Sequence, residues 1–365
     1  MLAGIRVCYC KILIMNERRI SSLKILFVGP LVEGSTTLQR MLCLKKMGHS
    51  VLGVDTAALP LMWVFAFLNR VACRLGYYYD FSRANQLILK EIQICAFDVI
   101  WIEKGLTINP DTLRKIKHKL PSTRLISYCI DDMLLPANQS RNYLCGVSFY
   151  DLHLTTKTYN VAELKALGAA DVQFHANAFD AVAYRPIQLS NDEESRWGSD
   201  VAFLGGYESQ RCSTMLVLAK RGIVITIWGP GWEPYVNIHP NLRINAGWVL
   251  AADAAKIFSA TKVNLHFLRK VARDLQTTRS VEIPACGAFM LAERTAEHLG
   301  LFTEGVEAEF FDDLEELMGK IHYYITNSDH REAIAAAGYQ RCIISGYSYP
   351  DRLNQILCAV APDNK

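Results

Sequence analysis

Short runs of β-branched and aromatic residues alternate along the chain with longer stretches in which apolar residues recur every three or four positions. The short runs read as buried strands, and the periodic stretches as helices packed over them. In the first half this pattern predicts strands at 23–29 (LKILFVG), 50–55, 97–103, 123–130, 151–156 and 171–176, with helices between them such as 36–47, 83–94 and 160–167. Residues 186–199 (PIQLSNDEESRWGS) are polar and follow neither period, which marks a linker. Beyond them the alternation restarts, with strands at 200–206, 223–229, 261–267 and 287–293 and amphipathic helices from 312 to 345. A last segment, SYPDRLNQILCAV, begins a helix after Pro350, apolar along one side and expected to pack back across the junction.

The predicted fold class is therefore α/β: two Rossmann-like, doubly wound domains facing a cleft. The expected division is a flexible tail over 1–22, a first domain over 23–186, a linker over 187–199, a second domain over 200–345, and a helix within 346–365 that returns to the first domain. Met15 is an alternative natural start.

With 365 residues, 51% hydrophobic and 21% charged, the chain can bury two substantial cores. The longest apolar run, Leu59 to Leu68, is broken by Pro60 and is too short to span a bilayer. Eleven cysteines, an odd number without a CxxC pair, suit free thiols in a reducing cytoplasm rather than a disulfide framework or a zinc site. The net charge of +3 is uneven: residues 1–120 hold 17 Lys and Arg against 8 Asp and Glu, a balance of +9. A basic first domain, concentrated in LRKIKHKL (113–120), suits an anionic acceptor or peripheral contact at the inner face of the membrane, although a solvated helix face explains it more simply. No basic run is interleaved with aromatics in a nucleic-acid-binding pattern, so nucleic acid is not an expected partner.

The segment GPLVEGST (29–36) follows a strand and opens a helix as a phosphate loop would, but Ser35 stands where that loop needs its lysine. It reads as a glycine turn, and in a two-domain cleft it would face the partner domain. No GxGxxG follows any strand, and no metal-ligand spacing occurs, so neither a dinucleotide cofactor nor a metal is expected. A protein that binds a diphosphate without metal must neutralise it with helix N-termini and guanidinium groups. DLQTTRSVEIPACGAF (274–289) offers both: a helix beginning near Leu275 with free amides at Gln276 to Thr278, Arg279 one turn in, and Glu282 about 5 Å further along the axis. That spacing suits a ribose beyond a pyrophosphate, and equally an ordinary helical ion pair. In the first domain, Asp131 and Asp132 end a strand where a carboxylate can act as general base on an acceptor hydroxyl, or simply open a turn.

RSVEIPACGAFMLAE, the helical region after it and SYPDRLNQIL resemble the C-terminal half of the CgeB-type (spore-maturation-like) glycosyltransferases, a family of the GT-B fold. SYCIDD (127–132), YDLHLTTKTYNVAELKALGA (150–169) and FHANAFDAVAYRP (174–186) extend the resemblance over most of the chain. It implies a cytoplasmic, metal-independent glycosyltransferase that moves a sugar from a nucleotide-diphosphate donor to a glycan, envelope or protein acceptor. Carried over by position, it implies that Glu282 binds the nucleotide ribose and Asp274, eight residues earlier, contacts the donor sugar, with Asp standing where the family has Glu. Gly205, Gly206 and Arg211 would hold the donor phosphate, Trp228 and Gly229 would lie near the base, and Asn264 near the cleft; Arg279 would stabilise the diphosphate. Two rival functions share the fold: an inactive scaffold in surface-layer assembly, and a sugar-nucleotide epimerase.

Overall fold

The computed structural model of the protein describes residues 21–57 and 63–360. All but Ser21 and Ser22 of the expected tail, the alternative start and the first part of the apolar run at Leu59 lie outside those residues.

Among the described residues twelve strands form two parallel sheets. The first contains β1 (Lys24–Gly29), β2 (Ser50–Asp55), β3 (Val99–Glu103), β4 (Arg124–Cys129), β5 (Leu152–Thr155) and β6 (Val172–Phe174) in the order β2-β1-β3-β4-β5-β6. The second contains β7 (Ser199–Leu204), β8 (Ile225–Gly229), β9 (Leu242–Ala246), β10 (Thr261–His266), β11 (Met290–Glu293) and β12 (Glu309–Phe311) in the order β12-β11-β10-β7-β8-β9. β3 and β4 are buried throughout or nearly so, because helices cover both faces of the sheet. Each sheet reverses its strand order once, between β1 and β3 in the first and between β7 and β10 in the second. At such a point neighbouring crossovers leave in opposite directions and open a crevice beyond the carboxyl ends of the strands, where ligands bind in open α/β sheets.

The C-terminal helix Tyr349–Val360 belongs to the first lobe. Tyr349, Leu353, Ile356, Leu357 and Val360 are buried in the same cluster as Ile25, Phe27 and Trp101. The segment expected as an irregular linker holds a short helix, Asn191–Trp197. Ser190 and Glu193 cap it reciprocally, and Trp197 is its one buried residue, set against Trp228 with ring centroids 5.1 Å apart. A seven-residue helix with one buried position has no period to read.

No helix among the described residues is long and apolar enough to cross a membrane. The nine cysteines among them are free. The basic segment forms the helix Pro110–Lys119, on which Arg114 and Lys115 both pair with Asp111.

Candidate functional site

Both reversal points are built from glycine turns. In the first lobe Gly29 ends β1 where a Cβ would sit 2.9 Å from Thr37 and 3.0 Å from Glu103. Ser35 then caps the helix Thr36–Lys46 by accepting from the Leu38 amide. In the second lobe the turn after β7 lies against the turn after β8. Gly229 has φ +147°, and a Cβ there would be 2.2 Å from the Gly205 carbonyl, so only glycine fits. Trp232 Nε1 and the Tyr207 amide clamp the two turns together, donating to the carbonyls of Gly205 and Pro230, each at 2.9 Å.

Between the lobes these turns enclose a cavity of about 620 Å³, lined by Gly34 and Ser35 on one side, Gly205, Gly206 and Gly229 on the other, and Arg279 and Glu282 at its wall. Such a volume suits a ligand of nucleotide size. Tyr184 and Trp248 complete it. Trp248 is 89% exposed, a large aromatic face that burial in a core does not explain. Sequence reasoning passed over both; a Trp set directly after a glycine in NAGWVL, outside any predicted strand or helix, was the available signal.

The segment that carries Arg279 departs from expectation. The helix begins at Arg279, not near Leu275, and runs only to Ala285. Gln276 to Thr278 form a turn held by a buried hydroxyl. The Thr277 amide donates to Ser280 Oγ at 3.0 Å and the Arg279 amide to Thr277 Oγ1 at 3.2 Å, so fewer amides are free than a regular helix start provides. Ser280 Oγ also sits 2.8 Å from His298 Nε2 and 3.0 Å from His266 Nε2. Because His298 Nδ1 donates to the Glu293 carbonyl, its Nε2 must accept from Ser280, leaving His266 Nε2 as donor to the same hydroxyl. Burial lowers both imidazoles, His298 to about 4 and His266 well below its ordinary value, so both are neutral at pH 7.

Arg279 and Glu282 form an ion pair, and Arg279 also donates to the Tyr184 hydroxyl at 3.3 Å. The pair is unequally covered: Glu282 is 4% exposed and Arg279 28%. Glu282 is therefore buried, yet it lines the cavity between the lobes.

Five of the expected site residues meet at this cavity, namely Gly205, Gly206, Gly229, Arg279 and Glu282, and the others lie outside its lining. Arg211 is buried, and its guanidinium donates to the carbonyls of Phe267 at 2.8 Å and Gly206 at 3.3 Å, tying the ends of β7 and β10 together. Asn264 is buried and donates to the carbonyls of Phe258 and Phe289, both at 3.2 Å. Trp228 packs on Trp197. Asp274 pairs with Lys157 of the first lobe at 2.5 Å, almost out of contact with solvent.

The two candidate bases are engaged elsewhere. Asp131 pairs with Lys104 at 2.5 Å. Asp132 accepts from Arg273 at 2.6 Å, Asn160 at 3.0 Å and the Leu134 amide at 3.1 Å. Burial acts to raise its pKa, but the hydrogen bonds from Arg273 and Asn160 outweigh burial and hold it below the ordinary carboxylate value. Arg273 also reaches Glu163 at 2.9 Å, and Thr158 donates to Glu297 at 2.7 Å. Together these contacts fasten the loop 272–276 and the neighbouring Glu297 to the first lobe. Among the described residues no group of three or more His, Cys, Asp and Glu side chains is placed to hold a metal.

Residues 211–358 match the family model for glycosyl transferase-like proteins. No curated protein matches the sequence. Solved structures align along nearly the whole chain. HepE from Anabaena, in complex with UDP and glucose, has a TM-score of 0.60 at 15% identity and covers 93% of this chain and 99% of its own. A glycosyltransferase from Rickettsia africae has a TM-score of 0.64 at 12% identity, with 95% and 100% covered. Sucrose-phosphate synthase from Thermosynechococcus elongatus has a TM-score of 0.62 at 10% identity, with 92% and 98% covered. The fold is that of the GT-B glycosyltransferases. The family match begins at Arg211 and takes in Asn264, Asp274, Arg279 and Glu282, and so covers the Arg279–Glu282 part of the cavity wall but not Gly205 and Gly206.

Proposed function

We propose that the protein is a nucleotide-sugar-dependent glycosyltransferase of the CgeB type, moving a sugar from a nucleotide-diphosphate donor to a hydroxyl of a glycan, envelope or protein acceptor without a metal. The observation that carries this reading is the cavity in which the glycine turns of both lobes meet the Arg279–Glu282 pair. A diphosphate against the Gly205–Gly206 turn would lie within reach of a guanidinium, and Glu282 would accept from a ribose hydroxyl. Trp248 offers a face for the base. Complexes of the neighbour HepE with UDP make UDP-sugars the first donors to try.

Transfer breaks the bond from the sugar's anomeric carbon to the diphosphate oxygen and forms one to the acceptor oxygen. Asp131 and Asp132 are held in ion pairs outside the cavity lining, so this reading gives neither of them the role of base and passes the acceptor proton to the departing phosphate oxygen. Asp274, Arg211 and Asn264 act one step back, fixing the loop and strand ends on which the donor rests.

Calorimetry with UDP tests the assignment. A charged hydrogen bond to ribose contributes about 1.5–3 kcal/mol, so Glu282→Ala should weaken UDP binding by roughly ten- to a hundredfold while unfolding remains cooperative. Chelation with EDTA should leave UDP affinity unchanged. Equal UDP affinity in wild type and variant contradicts the assigned role of Glu282, and no binding of any nucleotide by the wild type favours the scaffold.

A further inference from the structure

The turn that brings Thr278 and Arg279 to the cavity is fastened from behind at both ends. At its start the Leu275 carbonyl accepts from Thr295 Oγ1 at 2.6 Å, and the same hydroxyl caps the helix Ala296–Leu301. At its end stands Ser280, which is wholly buried, as is His298, while His266 is 3% exposed. None of these three lines the cavity, and the donor assignment gives them no role.

A hydroxyl has one proton to donate and two lone pairs that accept. Ser280 uses all three. It donates to His298 Nε2 at 2.8 Å and accepts from His266 Nε2 and the Thr277 amide, both at 3.0 Å. The two imidazoles are themselves anchored at neighbouring strand ends. His266 is the last residue of β10, and His298 Nδ1 donates at 2.7 Å to the carbonyl of Glu293, the last residue of β11. The His298 ring also lies parallel to that of Phe310, with centroids 5.6 Å apart. The sheet therefore fixes the hydroxyl, and the turn takes its place from it.

From Ser280 the constraint passes to the cavity wall. Its bond to the Thr277 amide sets Thr277, whose hydroxyl accepts from the Arg279 amide at 3.2 Å and lies 3.4 Å from His266 Nε2. The Arg279 guanidinium then reaches Tyr184 and Glu282. Serine alone answers these demands. Alanine would leave His298 Nε2 without a donor and the Thr277 amide without an acceptor, and threonine would add a methyl where Ser280 has no exposed surface. Glu282 is placed differently, by the buried Val281, Ile283 and Ala285 of its own helix.

We propose that Ser280, held by His266 and His298, is a positioning residue of the donor site, setting the turn 276–279 so that the Arg279 guanidinium meets the diphosphate. The proposal rests on the glycosyltransferase reading for the presence of that diphosphate. It separates two parts of one ligand: the phosphates depend on Ser280, whereas the ribose and base, met by Glu282 and Trp248, do not.

Calorimetry with UDP and saturation-transfer NMR with uridine, both on the full chain, read the two parts apart. Ser280→Ala should weaken UDP binding by about tenfold, as expected for a lost charged hydrogen bond, and uridine binding by less than about twofold. His266→Leu cannot donate to Ser280 and should behave alike, whereas His266→Gln, whose amide can donate, should keep most of the UDP affinity. Ile321→Ala, in a separate core cluster of the same lobe, controls for lost stability and should bind both ligands as wild type does. Should Ser280→Ala fail to fold, the two His266 variants decide. The proposal is overturned if Ser280→Ala binds UDP as wild type does, if it loses UDP and uridine by the same factor, if the two His266 variants are equally impaired, or if Ile321→Ala loses as much. Each of those results, with UDP bound by wild type, leaves the donor assignment standing; a wild type that binds no UDP overturns both.

Discussion

Two arginine–glutamate pairs stand beside the two reversal points, and they differ in what is left for a ligand. Arg40 and Glu103 are each 2% exposed. The Glu103 carboxylate accepts from Arg40 Nε at 2.7 Å, Arg40 Nη2 at 2.5 Å and Thr37 at 2.8 Å, while the rings of Tyr128 and Tyr349 cover the guanidinium. All of that pair's charge is answered from within. Arg279 and Glu282 use the same chemical groups, but the guanidinium is 28% exposed and both residues face the cavity. An identical pairing can thus be a closed part of the frame or an open part of a site, and the deciding quantity is unused hydrogen-bonding capacity that a ligand can reach.

The sharpest way to break that contrast is to remove one partner from the enclosed pair. Glu103→Ala leaves Arg40 buried and unpaired, and should cost about 3–5 kcal/mol in urea unfolding, far more than Glu282→Ala costs at the cavity wall. An equal loss for the two would mean that they are structurally alike.

Acid should strain the second lobe next. His298 and His266 are held below their ordinary pKa of 6.5 when folded, so the unfolded chain takes up protons first as pH falls. Their neutral forms stabilise the fold fully above about pH 6.5, and that contribution declines toward pH 4. The urea midpoint should therefore be lower at pH 5 than at pH 7.5, with a smaller difference in His298→Gln. A midpoint equally pH-dependent in the variant would exclude His298 as the source.

The smallest effect belongs to a pair with nothing to close or open. Arg221 and Glu315, 42% and 73% exposed, are 2.5 Å apart at the surface, and Glu315→Ala should change stability by less than about 0.5 kcal/mol.

Much of the frame was readable from hydrophobic runs. The strand expected at 50–55 forms over those very residues, and that expected at 23–29 begins one residue later, because each is a compact β-branched run closed by a turn. β9 and β12 escaped notice for physical reasons. β9 is an edge strand, LRINA, with one buried residue, and β12 has only three residues. At the site, Arg279 and Glu282 were legible because they stand three positions apart on one helix. Arg40 and Glu103, 63 positions apart, were not, nor were Lys157 and Asp274 across the lobes. The misplaced start of the 279–285 helix has the same origin: two histidines from elsewhere in the lobe hold Ser280, and that hydroxyl takes an amide that a regular first turn would have left free.

The return of Tyr349–Val360 to the first lobe has a consequence for biosynthesis. A ribosome releases residues 24–174 long before the helix that seals one face of their sheet, so that lobe must wait, with Phe27 and Trp101 incompletely covered, while the lobe translated after it has all its own strands in hand. The first lobe's cover is thus completed only after every strand of the second has been made, and that interval of exposure is where a nascent chain would most need a chaperone.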